Sequence, residues 1–247
     1  MDSSLWDALP PDLTLPLDEV HVWRGSLVQP AAFVESLATT LSPDERARAA
    51  AFYFERDRQR FLVGRGLLRA LLSAYLGIPA RRIAFTYGPR GKPALSEACG
   101  CDLTFNVSHS HDLALYAITR ARRIGVDIER IRELDVEGVA ARFFSPAEIA
   151  ALRALPAQER PAAFFRCWTR KEAFVKARGD GLALPLNQFD VSLTPGAARL
   201  SSIRWDTEEA ARWHLEELSV GGHYVAALAV EGPACTLCKA SLPSFSL

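Results

Sequence analysis

No run in the 247-residue sequence approaches the ~18 consecutive apolar residues of a membrane-spanning helix. The amino-terminal MDSSLWDALPPDLTLPLDEV also lacks the basic and continuously apolar regions of a secretory signal. Neither charge is in excess. Lys+Arg and Asp+Glu both number 29, which excludes a general polyanion or nucleic-acid binder and leaves room for a local basic pocket. Cysteines are few and odd in number, at five. Cys235 and Cys238 form a C-x-x-C, but no second pair at suitable spacing completes a zinc site, so free thiols in a reducing cytoplasm are expected. Walker A, G-x-G-x-x-G and G-x-S-x-G motifs are all missing, which disfavours P-loop binding, Rossmann binding and a hydrolase elbow.

What is present is core-forming material: 49% hydrophobic and 23% charged residues exclude a largely disordered chain and allow one large or two modest domains. Residues 1–20, rich in Pro and Asp, read as an extended lead-in. Ser42-Pro43 followed by Asp44 and Glu45 is a helix-start signal, and the segment it opens ends at Gly77. It is too long for one average helix, and Gly64 and Gly66 predict a close packing point or a break. Leu67, Leu68, Leu71, Leu72 and Tyr75 keep helical spacing and should face the core. Strands are expected at 83–87, 103–108, 113–119 and 123–128, with a last central strand at 223–230. Helices are expected from Ser145-Pro146 and over the stretch that Gly179 stops. HDLALYAI (111–118) and HYVAALAV (223–230) echo each other, a coincidence of two buried strands or the mark of two related α/β halves, 1–120 and 121–247. Either way the fold class is α+β, mostly antiparallel, with packed helices.

Four stretches carry candidate chemistry. In RRIGVDIERI, strand alternation puts Ile124, Val126 and Ile128 on one face and Asp127 and Glu129 on the other. Adjacent carboxylates suit a hard divalent cation, or else a solvated strand end paired with Arg122, Arg123 and Arg130. In FNVSHSHDLA, Ser108 and His109 point opposite ways, so they fit an anion-binding turn better than a nucleophile–base pair. In YGPRGKPAL, a Gly-Pro loop displays Arg90 and Lys92. In TRKEAFVKARGDGL, Trp168, Glu172 and Lys176 are i,i+4 neighbours at the edge of an apolar stripe, which marks either a helix ion pair or part of a cation site. Together these are parts of a Mg²⁺-dependent site for a polyphosphate-bearing ligand.

The succession GKP, FNVSHS, GVDIE, RFFSPAE and FFRCWTRKEAFVKARGDGL resembles the 4′-phosphopantetheinyl transferases of the Sfp type, at least over Gly91–Leu182. The resemblance implies a pseudo-dimer of two similar α/β halves. It implies transfer of the phosphopantetheine arm of coenzyme A to a serine of an apo acyl or peptidyl carrier protein, with release of adenosine 3′,5′-bisphosphate. Carried over by residue, Asp127, Glu129 and Glu172 would hold Mg²⁺, with Mn²⁺ as the other oxygen-loving ion. Glu172 would take the serine proton, and Lys176 would contact the phosphates and stabilise the leaving oxygen. Lys92, Ser108, His109 and Arg60 would bind coenzyme A, with Arg48 as a further contact. Glu148 would be a supporting acid. Where some relatives have a small residue after S-H-S, His111 stands here, and Glu45 stands where some carry a basic contact. The resemblance further implies a cytoplasmic monomer serving fatty-acid, polyketide or nonribosomal-peptide carriers. A Mg²⁺-dependent nucleotide phosphodiesterase and a non-catalytic coenzyme A or carrier-binding module are the competing classes.

Overall fold

A computed structural model describes residues 13–179 and 181–242; most of the expected lead-in lies outside them. Two antiparallel meanders with the same order of elements make up the framework. In the first, strand β1 (Glu19–Ser26) is followed by helices α1 (Ala31–Ala38), α2 (Pro43–Ala50) and α3 (Glu55–Leu76). A short hairpin, β2 (Phe85–Tyr87) and β3 (Pro93–Leu95), and then β4 (Leu103–Ser110) and β5 (Leu113–Arg120) complete it. The second runs β6 (Ile124–Arg130), α4 (Val136–Phe143), α5 (Pro146–Arg153), α6 (Arg160–Arg178), the hairpin β7 (Phe189–Val191) and β8 (Leu200–Ile203), then β9 (Trp213–Leu218) and β10 (Tyr224–Glu231). The sheet orders correspond: β1-β5-β4 in one and β6-β10-β9 in the other. The echo between residues 111–118 and 223–230 is thus an echo of topology, because β5 and β10 are the central strands of these meanders. Strand β10 is not the last, however. β11 (Thr236–Ser241) returns to the first sheet and pairs in parallel with β1.

Apolar alternation decides the layers. Val20, Val22, Leu115 and Ala117 of the first sheet meet Ile124, Val126, Ile128, Leu228 and Val230 of the second in a core between the sheets. The other face of the first sheet is covered by α3 through Leu67, Leu68, Leu71 and Leu72. The other face of the second is covered by α6 through Phe164, Ala173, Phe174 and Ala177. Helix α3 passes through Gly64 and Gly66 unbroken; a Cβ on Gly66 would stand 2.6 Å from the Cβ of Leu37, so this glycine admits α1. The break expected in this region falls earlier, between α2 and α3, at residues 51–54.

The halves also share a polar device. Ser42 and Ser145 each open a helix with Pro at its first position, and the Glu three residues on (Glu45, Glu148) closes a capping box. Both glutamates are buried, at 2% exposure, and both meet a buried cation on the long helix of their half. Arg69 Nε lies 2.6 Å from Glu45, and Lys171 Nζ lies 2.8 Å from Glu148. Each cation then donates to two carbonyls beyond its helix: Ala80 and Ile83 for Arg69, Leu186 and Phe189 for Lys171. Each also sits over an aromatic ring, Phe85 or Phe189. Lys171 is therefore an internal cross-link rather than a surface cation beside Glu172.

Candidate active site

The site forms where the sheets meet edge to edge. On the outer edge of β6, backbone N–H groups at Val126, Ile128 and Arg130 have no backbone ladder partner among the described residues. Strand β4 satisfies them with side chains at every second residue. Asn106 Oδ1 accepts from Val126 (2.9 Å), Ser108 Oγ from Ile128 (3.4 Å) and Ser110 Oγ from Arg130 (3.1 Å). The two hydroxyls then donate onward, Ser108 to Asp127 Oδ1 (2.8 Å) and Ser110 to Glu129 Oε2 (3.0 Å). The polar alternation of FNVSHS is thus a seam that joins the halves and orients both β6 carboxylates. Sequence reasoning found Ser108 and missed Asn106 and Ser110, although all three share one face of the strand.

Gly125 sets the distance to α6. A Cβ there would lie 2.1 Å from the carbonyl oxygen of Ala173 and 2.4 Å from the amide nitrogen of Ala177. Only glycine lets the helix backbone come this close, and that approach brings Lys176 onto Asp127. The Lys176 Nζ donates to Asp127 Oδ1 (2.6 Å) and to Ser108 Oγ (2.9 Å). Gly125→Ala must push α6 off the sheet, and the expected result is a loss of about 2–3 kcal/mol with weakened activity. Denaturant unfolding checks the first and transfer assays the second; unchanged stability would mean that the contact is softer than it looks.

Electrostatics concentrate on the carboxylates. Burial pushes the Asp127 pKa up, with Lys176 and Ser108 opposing and the Glu129 charge adding to the rise. Glu172, one helical turn from Lys176, is raised by burial and then by the charge of Asp127, with Glu129 adding and Lys176 opposing. Asp127 Oδ2 is buried without a hydrogen-bond partner among the described residues. This buried, unpartnered carboxylate oxygen, coupled electrostatically to Glu129 and Glu172, is of the kind that a hard divalent cation satisfies.

A cleft of about 730 Å³ opens beside this cluster. Glu129 reaches both, and His109 projects from β4 into the cleft on the side opposite Ser108. Helix α3 lines the other wall with Arg56, Arg60, Phe61, Gly64 and Arg65 at i,i+4 spacings, and Arg48 adds a fourth guanidinium over the Phe61 ring. Arg60 is held by Asp112 at 2.6 Å, and Arg65 lies 3.4 Å from Glu45. Even so, Arg60 Nε and Arg65 Nη1 are buried donors with no acceptor among the described residues. Enclosure by the cleft walls lowers the His109 pKa, with Lys176 and Arg60 adding to the effect. His111, at the rim, adopts a left-handed backbone with φ of 52° at the β4–β5 turn. Arg65 escaped sequence reasoning, though its place one turn beyond Phe61 on the Arg60 side of α3 was the available signal.

Of the residues expected to act, Asp127, Glu129, Glu172, Lys176, Ser108 and His109 gather at the seam, and Arg48 and Arg60 line the adjoining cleft. Lys92 stands apart. Its ammonium donates to the carbonyls of Ile124 (3.2 Å) and Lys176 (2.5 Å), tying β6 to the end of α6. Burial, with Arg123 and Lys176 nearby, lowers its pKa to about 8. Cys235 and Cys238 are free thiols, as are Cys99, Cys101 and Cys167.

Known proteins share this arrangement of sequence. Residues 123–229 match the 4′-phosphopantetheinyl transferase superfamily, and residues 23–120 match the 4′-phosphopantetheinyl transferase N-terminal family. The chain belongs to the 4′-phosphopantetheinyl transferase family and is an enzyme of that class. It is 46% identical to the 4′-phosphopantetheinyl transferase HetI of Nostoc over 92% of this chain and 94% of that protein. It is 35% identical to the transferase Sfp of Bacillus subtilis over 64% of this chain and 69% of that one. A more distant relative is the L-aminoadipate-semialdehyde dehydrogenase-phosphopantetheinyl transferase of Xenopus laevis, 29% identical over 78% of this chain and 69% of that protein. No helix among the described residues is long and apolar enough to cross a membrane.

Proposed function

We propose that this enzyme transfers the 4′-phosphopantetheine arm of coenzyme A to a serine of an apo acyl or peptidyl carrier protein, releasing adenosine 3′,5′-bisphosphate in a Mg²⁺-dependent reaction. The unspent donors of Arg60 and Arg65 in a basic cleft, adjoining an unpartnered carboxylate oxygen, are the observation that carries this reading. The 3′-phosphate and pyrophosphate of coenzyme A supply anions for the first, and a divalent ion suits the second.

Asp127, Glu129 and Glu172 would hold the ion, and Mn²⁺ suits the same oxygens. When bound it would offset charge on the pyrophosphate. The protein's own residues do the rest. Arg48, Arg60, Arg65 and His109 bind and orient the adenosine phosphates, with Ser108 and Lys92 fixing the strand and helix that carry the carboxylates. The carrier serine oxygen bonds to the phosphorus bearing the pantetheine, and the bond from that phosphorus to the bridging oxygen breaks. Glu172 takes the serine proton as the general base. Lys176 stabilises the oxygen that departs with adenosine 3′,5′-bisphosphate. The nucleophile comes from the partner. The enzyme acts as a cytoplasmic monomer, and the basic cleft rim suits the acidic surface expected around a carrier serine.

The direct test incubates the protein with radiolabelled coenzyme A, Mg²⁺ and several apo carriers. Labelled carrier is expected; a folded protein that labels none of them, or that cleaves coenzyme A without a carrier, overturns the reading. Arg60→Ala should raise the KM for coenzyme A by about 10–100-fold with kcat little changed, the cost of one charged hydrogen-bonding group. Steady-state kinetics at two ionic strengths checks this, and an unchanged KM removes Arg60 from the phosphate site.

A further inference from the structure

At the β1–β11 edge of the first sheet, away from the cleft, three ligand-bearing residues converge. Glu19 and His21 point the same way from β1, and Cys238 lies directly across from His21 in the parallel register with β11. Their ligand atoms all lie within 4.8 Å of one another. Glu19 Oε2 is 3.0 Å from His21 Nε2 and 3.5 Å from Cys238 Sγ. A tetrahedral zinc ion bound at ordinary lengths separates its ligands by about 3.3–3.8 Å, so little opening is needed.

The histidine is held in place from behind. Trp23 Nε1, which can only donate, gives its proton to Tyr75 Oη (2.8 Å), and that hydroxyl meets His21 Nδ1 at 2.6 Å. A hydroxyl serves Nδ1 as donor or acceptor, so the ring is oriented with Nε2 toward Glu19 in either tautomer. Fixing the second nitrogen is what an outer shell does for a ligating imidazole. His21 and Trp23 are buried, while Cys238 is exposed and leaves the cluster open to solvent.

We infer that Glu19, His21 and Cys238 form a site for a zinc-class divalent ion that clips β11 to β1. Thiolate and imidazole select zinc or cobalt over magnesium, so this site is chemically distinct from the carboxylate cluster. The C-x-x-C thiol that lacked partners in its own segment finds them on a strand from the other end of the chain. Uptake expels one proton, that of the Cys238 thiol. His21 binds through Nε2 as its ring proton moves to Nδ1, Glu19 binds as the anion, and water takes the fourth position.

Cobalt(II) titrated into the full-length protein should produce a thiolate-to-cobalt charge-transfer band. That band should persist in Cys235→Ser, in Cys99→Ser with Cys101→Ser, and in Asp127→Asn. It should vanish in Cys238→Ser and need at least about tenfold more metal in His21→Gln. Absence of the band in the unaltered protein, or its survival in Cys238→Ser, overturns the site. A measurement needing no variant is the alkylation of Cys238 followed by mass spectrometry. Zinc should slow it severalfold where magnesium does not, and equal rates with and without zinc overturn the proposal.

Discussion

Glu172→Gln should reduce carrier phosphopantetheinylation by about 10³-fold or more while raising the melting temperature. The two effects have one cause. Burial and the neighbouring charges of Asp127 and Glu129 raise the Glu172 pKa above that of an exposed glutamate, near 4.3. A carboxyl group raised in the folded state binds its proton more tightly there than in the unfolded chain. Its stabilising contribution is therefore complete below the unfolded pKa and is lost as pH rises through the folded one. At neutral pH the charged side chain is a liability that the neutral amide removes, worth a gain of about 1 kcal/mol or roughly 2–4 °C. The difference between the variant and the parent should shrink as pH falls toward 4, which scanning calorimetry at a series of pH values will follow. Mg²⁺ should narrow the gap from the other side, by stabilising the parent more than the variant. A variant that melts lower than the parent at pH 7.5, or keeps more than about a tenth of the activity, would place Glu172 outside the proposed cation cluster.

The sequence carried much of this site because its chemistry is written in short periods. Asp127 and Glu129 share a strand face, and Trp168, Glu172 and Lys176 share a helix face, so local geometry grouped each set before any tertiary contact was known. Serine–proline starts located α2 and α5 to the residue. What escaped depended on contacts between distant segments. Ser110 looks like an ordinary strand serine until β4 is seen lying against the open edge of β6. Lys92 sits in a loop that suggested a displayed cation, yet its ammonium is drawn to carbonyls of β6 and α6. β1 fell partly in a stretch whose prolines suggested a lead-in, and β11 pairs with a strand from the opposite end of the chain. That last pairing also explains why this seam forms once, among the described residues, in a doubled fold. The outer edge of β6 faces the side chains of β4, whereas the corresponding edge of β1 is filled by β11.

Lys171→Met should cost about 3–5 kcal/mol and lower the melting temperature by roughly 10–15 °C. All three ammonium protons are spent inside the protein, on Glu148 Oε1 (2.8 Å) and on the carbonyls of Leu186 (2.7 Å) and Phe189 (2.6 Å). The Phe189 ring lies 4.2 Å away. Methionine fills much of the volume but strands a buried carboxylate and two carbonyls. Glu148 also caps α5 and accepts from the Val191 amide at 2.8 Å, so its unpaired charge would pull on three elements at once. Combining Lys171→Met with Glu148→Gln should recover part of the loss, because no charge is stranded, although the single amide oxygen can accept from only one of the Ser145 and Val191 amides that the two carboxylate oxygens now serve. Denaturant unfolding of the four proteins in a double-mutant cycle measures the coupling. Additive losses would show that the cation and the carboxylate do not act as a pair. A cost below about 1 kcal/mol for Lys171→Met would show that the site is wetter than its complete burial implies. Arg69 and Glu45 perform the same task in the other half, so Arg69→Met should destabilise by a comparable amount. Its effect on catalysis should be transmitted through the Arg60–Arg65 wall of the cleft rather than through α6.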